Sequence, residues 1–380
     1  MTPATPLPRW ADVFLLPVVC LAVALLAAGV VVAAVGQNPI KVLSVLVNGA
    51  FGTPRGISYT LYYATTFIFT GLAVAVAFHG GLFNIGAEGQ ALIGGLGTGL
   101  MALWLGPVLP GWLLLPLMLM AGALFGLAWA AVPAVLQAYR GSHVVITTIM
   151  FNFIASSLMV YVLVNFIRPA GTMSVESAPF APSAKLASMT DFLAGVGVDW
   201  PSSPLNISLF LALLAAVGVY FYLWRTRAGY RLRAVGSSAG AATFAGINAR
   251  HQVVIAMALS GALAGLVGMN EIASVSGKLL LEFVAGAGFT GIAVALMGRN
   301  HPVGIVLASV LFGALFQGGA EVAFEVQGFS RDMVVMVQGF IVLFSGAMVY
   351  VIAPWLARVV GGISQLFRPK ATTLEQAGNG

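Results

Sequence analysis

Apolar runs about twenty residues long recur from one end of this chain to the other, and they restrict its fold more than any other feature. The first, Val13 to Val35, has 23 residues. A helix needs about 20 such residues to cross a hydrocarbon core roughly 30 Å thick. Only 7% of the residues are charged, whereas 60% are hydrophobic. Soluble domains carry about 25% charged residues, so most of this chain faces lipid or other helices. The expected fold is all-α: a polytopic transmembrane helical bundle.

The first run is longer than the roughly 7–15 apolar residues of a secretory signal. Only Arg9, with Asp12 after it, precedes the run, which reads as a retained span. Further spans are expected near 58–79, 90–109, 111–137, 145–166, 207–224, 251–270, 284–298, 303–320 and 333–353, ten in all. The segment 38–54 is too short and mixed for a span and reads as an interfacial or partial helix. The membrane domain is thus 13–353, with residues 1–12 before it and a tail at 354–380.

Basic residues orient the bundle. With the N-terminus inside, the inner loops hold Arg140, Arg225, Arg227, Arg231, Arg233, Arg250 and Arg299, and the tail holds Arg358, Arg368 and Lys370. The outer segments hold Lys41, Arg55, Arg168, Lys185, Lys278 and Arg331. Ten bases inside against six outside fit the positive-inside rule, which puts both termini in the cytoplasm, 225–250 inside and the long loop 167–206 outside. Ten spans divide as five plus five, and an odd number per half inverts the second half, as in inverted-repeat transporters. The glycine-dense stretches Gly80–Gly95 and Gly286–Gly298 correspond roughly in the two halves.

The net charge of +6 marks no nucleic-acid partner, because the bases sit in short loops and form no basic face interleaved with aromatics. Cys20 is the single cysteine, so an intrachain disulfide is impossible. It reads as a small apolar residue in a membrane helix. His79, His143, His251 and His301 lie at span ends without metal-ligand spacing. No phosphate-binding glycine–lysine–serine loop occurs, and no catalytic constellation is expected. The chain is therefore read as a non-enzyme that binds no cofactor itself.

Two polar stretches interrupt the oil. "GGLFNIGAEGQ" (80–90) places Asn84, Glu88 and Gln90 in a glycine-punctuated turn between apolar runs. Irregular backbone at membrane depth is tolerated only where protein or a water-filled cavity satisfies it. These side chains either satisfy freed backbone groups or line the route of a polar solute. On the fifth span Thr148, Asn152 and Ser156 share one face at i, i+4, i+8, with Phe151 beside them. That set reads equally as a route for a neutral polar solute or as hydrogen bonding between packed helices. Asn270, Glu271, Thr290 and Gln317 are weaker candidates, and Glu321 and Glu325 share a face at the outer end of their span.

The second stretch is "LRAVGSSAGAATFAGINARHQVV" (232–254). Ser237 or Ser238 is expected to cap a short helix whose apolar positions are Ala241, Ala242, Phe244 and Ala245, with Gly246 ending it. This region resembles the coupling region of bacterial ABC-importer permeases, in the superfamily that handles branched-chain amino acids, ribose and nucleosides. "AGAATFAGI" is similar to the alanine-alanine, three residues, glycine pattern with which such permeases dock their ATPases, although Gly240 stands where many have an acid. "GGLFNIGAEGQ" and "GAGFTGIAVALMGRNHPVGI" (286–305) resemble the signatures of nucleoside and simple-sugar permeases, particularly the longer of two permease types found together.

The resemblance implies a permease subunit of an ATP-driven importer for nucleosides or simple sugars, multi-pass in the bacterial cytoplasmic (inner) membrane and working by alternating access. It implies ATPase docking through Arg231, Arg233, Ala241, Ala242, Gly246 and Ile247, with ATP consumed by the partner subunits. Further implied partners are a second, different permease in a heterodimer and an extracytoplasmic substrate-binding protein. The alternatives are an ion-coupled secondary transporter, which ordinarily keeps acids near the midplane, and an intramembrane enzyme, which would need a catalytic constellation.

Overall fold

The computed structural model describes residues 15–326, 333–340 and 351–358, with Pro8, Ala11 and Leu343. Arg9, Arg331, Arg368 and Lys370, the ends of the chain and much of the last expected span lie outside the described residues. The described residues are almost entirely helical. Their extended pairing is limited to two isolated bridges, Glu176 with Leu280 and Ser188 with Asn206.

The helices run in order α1 (Leu16–Ala34), α2 (Pro39–Phe51), α3 (Pro54–His79), α4 (Ala87–Leu105), α5 (Gly111–Arg140) and α6 (Val144–Val162), which continues as a π-helical turn, Leu163–Ile167. After a long loop with its short α7 (Met189–Ala194) come α8 (Ser208–Arg225), α9 (Arg227–Ser237), α10 (Ala239–Phe244) and α11 (Ala249–Gly265). Then follow α12 (Val267–Asn270), a π-helical turn at Glu271–Ser276, α13 (Ala287–Met297) and α14 (Pro302–Glu325). The segment 38–54, read as a partial helix, contains α2, of 13 residues. The loop 225–250 holds two helices, α9 and α10, where one was expected.

Among the described residues, six helical stretches are long and apolar enough to cross a membrane: 54–79, 111–140, 144–167, 208–225, 249–276 and 302–325. The stretch expected at 284–298 is different. Its helix α13 has 11 residues, about 16 Å at 1.5 Å per residue, which is half a hydrocarbon core. The backbone explains the brevity: Glu282, Ala285 and Gly286 before it, and Arg299 and Asn300 after it, have positive φ, which no right-handed helix accepts.

Local chemistry sets the other boundaries. Thr53 accepts the Gly56 N–H at 3.0 Å, and Pro54 supplies the fixed φ suited to a first helical turn. Gly141, at φ +68°, stops α5 in the left-handed conformation that spares glycine a Cβ clash. Asn48 Nδ2 reaches Ser44 within α2, and Asn248 caps α11 by accepting the His251 N–H at 3.1 Å.

The chain divides into two compact units, one within residues 1–42 and 332–380 and the other within residues 43–331. In the smaller unit Leu16 and Cys20 bury against Ile352 and Leu356. Of the six membrane-length stretches, α3 is the most enclosed. α4, α5 and α11 close on one another through glycine. A Cβ added to Gly265 would lie 2.2 Å from Gly122 O, one on Gly126 would lie 2.2 Å from Gly261 O, and one on Gly94 would lie 2.2 Å from Gly265 Cα. Where lipid tails are as apolar as the side chains, such backbone approach is a main source of helix association.

Candidate functional site

The turn between α3 and α4 is built by Asn84. Its Oδ1 accepts the Gly86 N–H at 2.8 Å, and its Nδ2 donates to Gln90 Oε1 at 2.9 Å and to Ser260 Oγ of α11 at 2.8 Å. Ser260 in turn donates to Ala73 O of α3 at 2.6 Å. Asn152 of α6 reaches the same turn, accepting the Gly89 N–H at 2.9 Å and donating to Ile85 O at 3.0 Å. Asn84, Gln90, Thr148 and Asn152 are all buried. These amides satisfy backbone that the broken helix leaves open, as buried polar groups must be satisfied.

Glu88 does something else. It lies in the first turn of α4, and its carboxylate reaches across to α13. Oε1 accepts the Gly286 N–H at 2.9 Å and Oε2 accepts the Gly288 N–H at 2.7 Å. Two helix N-termini from opposite halves therefore meet on one carboxylate. Each N-terminus carries a partial positive charge and unsatisfied N–H groups, so an acid at their junction is favourable. Gly288 has no room for a side chain: a Cβ there would lie 2.3 Å from Glu88 N.

The two glycine-dense stretches, distant in sequence, form one junction. At the far end of α13, Asn300 O is 3.0 Å from His79 Nε2 at the end of α3. Glu88 is therefore at most about 16 Å along α13 from that end, and it remains partly accessible.

The remaining candidates divide. Thr148 is buried on α6 and Ser156 is exposed on the same helix, so their shared line runs from packing to surface. Phe151 is half-buried, edge-on to Trp129 with centroids 5.3 Å apart. Thr290 is half-buried beside the junction. Phe289, which the sequence reading passed over, is 49% exposed immediately after Gly288. An aromatic between the two small residues opening a half-helix was the available signal.

Glu271 forms a second polar cluster in the π-helical turn. Tyr62 Oη donates to Glu271, Thr66 Oγ1 donates to its Oε1 at 2.5 Å, and Asn270 Nδ2 donates to Thr66 Oγ1 at 2.8 Å. Asn206 and Ser208 donate to Asn270 Oδ1 at 2.9 and 2.7 Å. This cluster joins α3, α8 and α12. Gln317 donates to Glu321 at 3.1 Å within α14, and Glu325 is exposed.

At the other end of the unit Ser238 Oγ accepts the Ala241 N–H at 3.3 Å, and Gly246, at φ +78°, ends the turn after α10. Arg231, Ala241 and Gly246 are exposed, and Ile247 is half-buried. Arg233 Nε donates to Leu223 O at 3.0 Å. Ala242 is buried against the protein's own helices. Phe244 projects instead, 97% exposed.

Residues 56–346 match the family described as the branched-chain amino acid transport system / permease component. The chain is 35% identical over 340 residues to a guanosine ABC transporter permease protein of Bacillus subtilis, covering 87% of this chain and 92% of that one. It is 34% identical to a glucose ABC transporter permease protein of Haloferax volcanii, covering 90% of each. It is 33% identical to a nucleoside ABC transporter permease protein of Lactococcus lactis, over 87% of this chain and 90% of that one.

Proposed function

This chain belongs to the family of branched-chain amino acid transport system permease components, and from that premise we propose how it moves its solute. It is the membrane-spanning permease subunit of an ATP-driven ABC importer for nucleosides or related simple sugars, a multi-pass protein of the cytoplasmic (inner) membrane. ATP is consumed by partner ATPases docked on α9 and α10, this chain having no ATPase site of its own. An extracytoplasmic binding protein delivers substrate, and a second, different permease completes the pore as a heterodimer. We read ten membrane segments, one of them the half-helix α13, as a 5+5 inverted repeat with both termini and 225–250 inside and 167–206 outside.

The observation that carries the reading is the Glu88 junction. A long helical stretch, a connection and a second helix recur in each half, α3 with α4 and the stretch 249–276 with α13, and the second helices meet N-terminus to N-terminus. Discontinuous helices meeting at the repeat interface are how alternating-access transporters build a site near the midplane. Phe289 and Thr290, at the opening of α13, offer a face for stacking and a hydroxyl, which suit a neutral solute with an aromatic base or several hydroxyls. Asn84, Gln90 and Asn152 hold the turn, with Thr148, Phe151 and Ser156 on the helix behind it. Alternating access then consists of opening and closing the contact between α4 and α13.

The test is gentle purification of the tagged chain from its host, identification of what accompanies it, and uptake of labelled nucleosides and sugars. An ATPase and a second permease in stoichiometric amount are expected. A chain that arrives alone and transports in vesicles under an ion gradient would overturn the reading in favour of an ion-coupled transporter.

A further inference from the structure

The docking helices touch the membrane domain at a point where no side chain intervenes. Gly236, in the last turn of α9, rests on the turn that ends α3: a Cβ there would lie 2.1 Å from His79 O and 2.8 Å from Gly81 N. The seat is glycine on both sides. Gly81 has φ +76°, and its added Cβ would lie 3.0 Å from Gly236 Cα. Gly80 between them abuts α11, where its Cβ would lie 2.7 Å from that of Ala256.

The other end of α9 is braced in the same manner. A Cβ on Gly229 would lie 1.9 Å from Tyr222 O of α8, and the Arg233 bond to Leu223 O holds the middle. α9 is therefore a strut, fixed at one end to α8 and at the other to the His79–Gly81 turn. Its exposed continuation, α10, follows after Ser238 and carries Phe244.

From Gly81 the backbone leads through four residues to Gly86 and α4, and this turn is not slack. Asn84 binds it to Ser260 and Gln90, and Asn152 binds it at Ile85 and Gly89. Its last element is Glu88, clamped on Gly286 and Gly288. Beyond the clamp Glu282 and Ala285 hold left-handed φ of 55° and 49°. Such backbone is costly for residues with a side chain and persists where its surroundings impose it.

We infer that Gly236 is a positioning residue for transport: its backbone seat on the His79–Gly81 turn carries movement of the docked α9–α10 pair into the turn that ends at the Glu88 clamp. Close-packed interiors have low compressibility and transmit displacement, and backbone against backbone leaves no rotamer to absorb it. The strained segment before α13 supplies the element that rearranges when the clamp shifts. The inference rests on the reading that ATPases dock on α10.

The test uses the whole complex, purified and reconstituted in vesicles, with uptake and ATP hydrolysis measured on the same preparation. Gly236→Ala is expected to keep the ATPase bound and its hydrolysis within about twofold, while uptake per ATP falls at least tenfold. Gly218→Ala, on α8 with open space around its added Cβ, is expected to change neither. Unaltered uptake per ATP in G236A would overturn the inference, as would uptake and hydrolysis falling in proportion.

Hydrogen exchange on the unmodified complex answers independently of the variant, and decides the matter if G236A does not assemble. Nucleotide binding is expected to change exchange at 239–247 and at 79–90 together. A change confined to the first segment overturns the inference. If no ATPase accompanies the unmodified chain, the functional reading fails and this inference with it. An ATPase that binds, with G236A transporting normally, sinks the inference alone.

Discussion

Glu88 holds both of its oxygens against backbone N–H groups from the far half of the chain, and the charge is what makes that contact strong. Hydrogen bonds to charged groups contribute about 1.5–3 kcal/mol. A Gln side chain has one oxygen to offer and turns an amide N–H toward the second donor. Glu88→Gln is therefore expected to insert normally and to lower uptake at least tenfold, since 1.4 kcal/mol is a factor of ten. Uptake at the unmodified rate would remove any need for the charge. Asn152→Ala acts differently, leaving the Gly89 N–H and Ile85 C=O without a partner. Each unsatisfied buried group costs about 1–3 kcal/mol. A clearly lower unfolding temperature in detergent is expected, and an unchanged one would show that water replaces the amide.

At the scale of elements, α10 and the glycine seam make opposite predictions. Phe244 touches little of its own chain, so Phe244→Ala is expected to leave the unfolding temperature unchanged. It should still cost most of the co-purifying ATPase, because a buried aromatic anchor is typically worth 2 kcal/mol or more at an interface. Retained ATPase would exclude the ring from docking. Gly126→Leu forces a large side chain against Gly261 O and is expected to prevent α5 and α11 from closing. A monodisperse, folded G126L chain on size exclusion would contradict the close-packed seam.

At the scale of the whole molecule, the long loop 168–207 is fastened to the segment that leads into α13. Ser177 and Phe180 donate backbone N–H groups to Leu279 O and Gly277 O at 3.0 and 2.7 Å, and Lys278 pairs with Glu176 at 2.8 Å. The hydrogen-bonded Lys278 ammonium holds the Glu176 carboxyl below its usual range. A lowered folded value means the contribution is complete above the unfolded value, about 4.3, and is lost as pH falls through the folded one. The pair is partly exposed, so the effect is small and screened by salt. Acidification from pH 6 to 3.5 is expected to narrow the difference in unfolding temperature between the unmodified protein and Lys278→Ala. A difference constant across that range would show that the pair contributes nothing.

Much of this was legible in residues alone. Apolar runs announce helices because hydrocarbon offers the backbone no other partner. Ser238 and Gly246 mark the ends of α10 because a hydroxyl cap and a left-handed glycine act within a few residues. The short helix α10 and the polar turn at 80–90 were legible from such local signals. What the sequence could not decide is which side of each element faces inward. Ala242 and Phe244 are both apolar and two residues apart, yet one is buried and the other projects, because only the packing of α9 and α10 against the bundle turns one face inward. The stretch 284–298 reads as a span by hydropathy and becomes a half-helix because left-handed backbone on both sides interrupts it. The meeting of Glu88 with Gly286 and Gly288 depends on the α3–α4 and α11–α13 turns approaching each other. No local propensity encodes a contact between residues about 200 positions apart; the tertiary structure alone decided that one carboxylate would serve two helix ends.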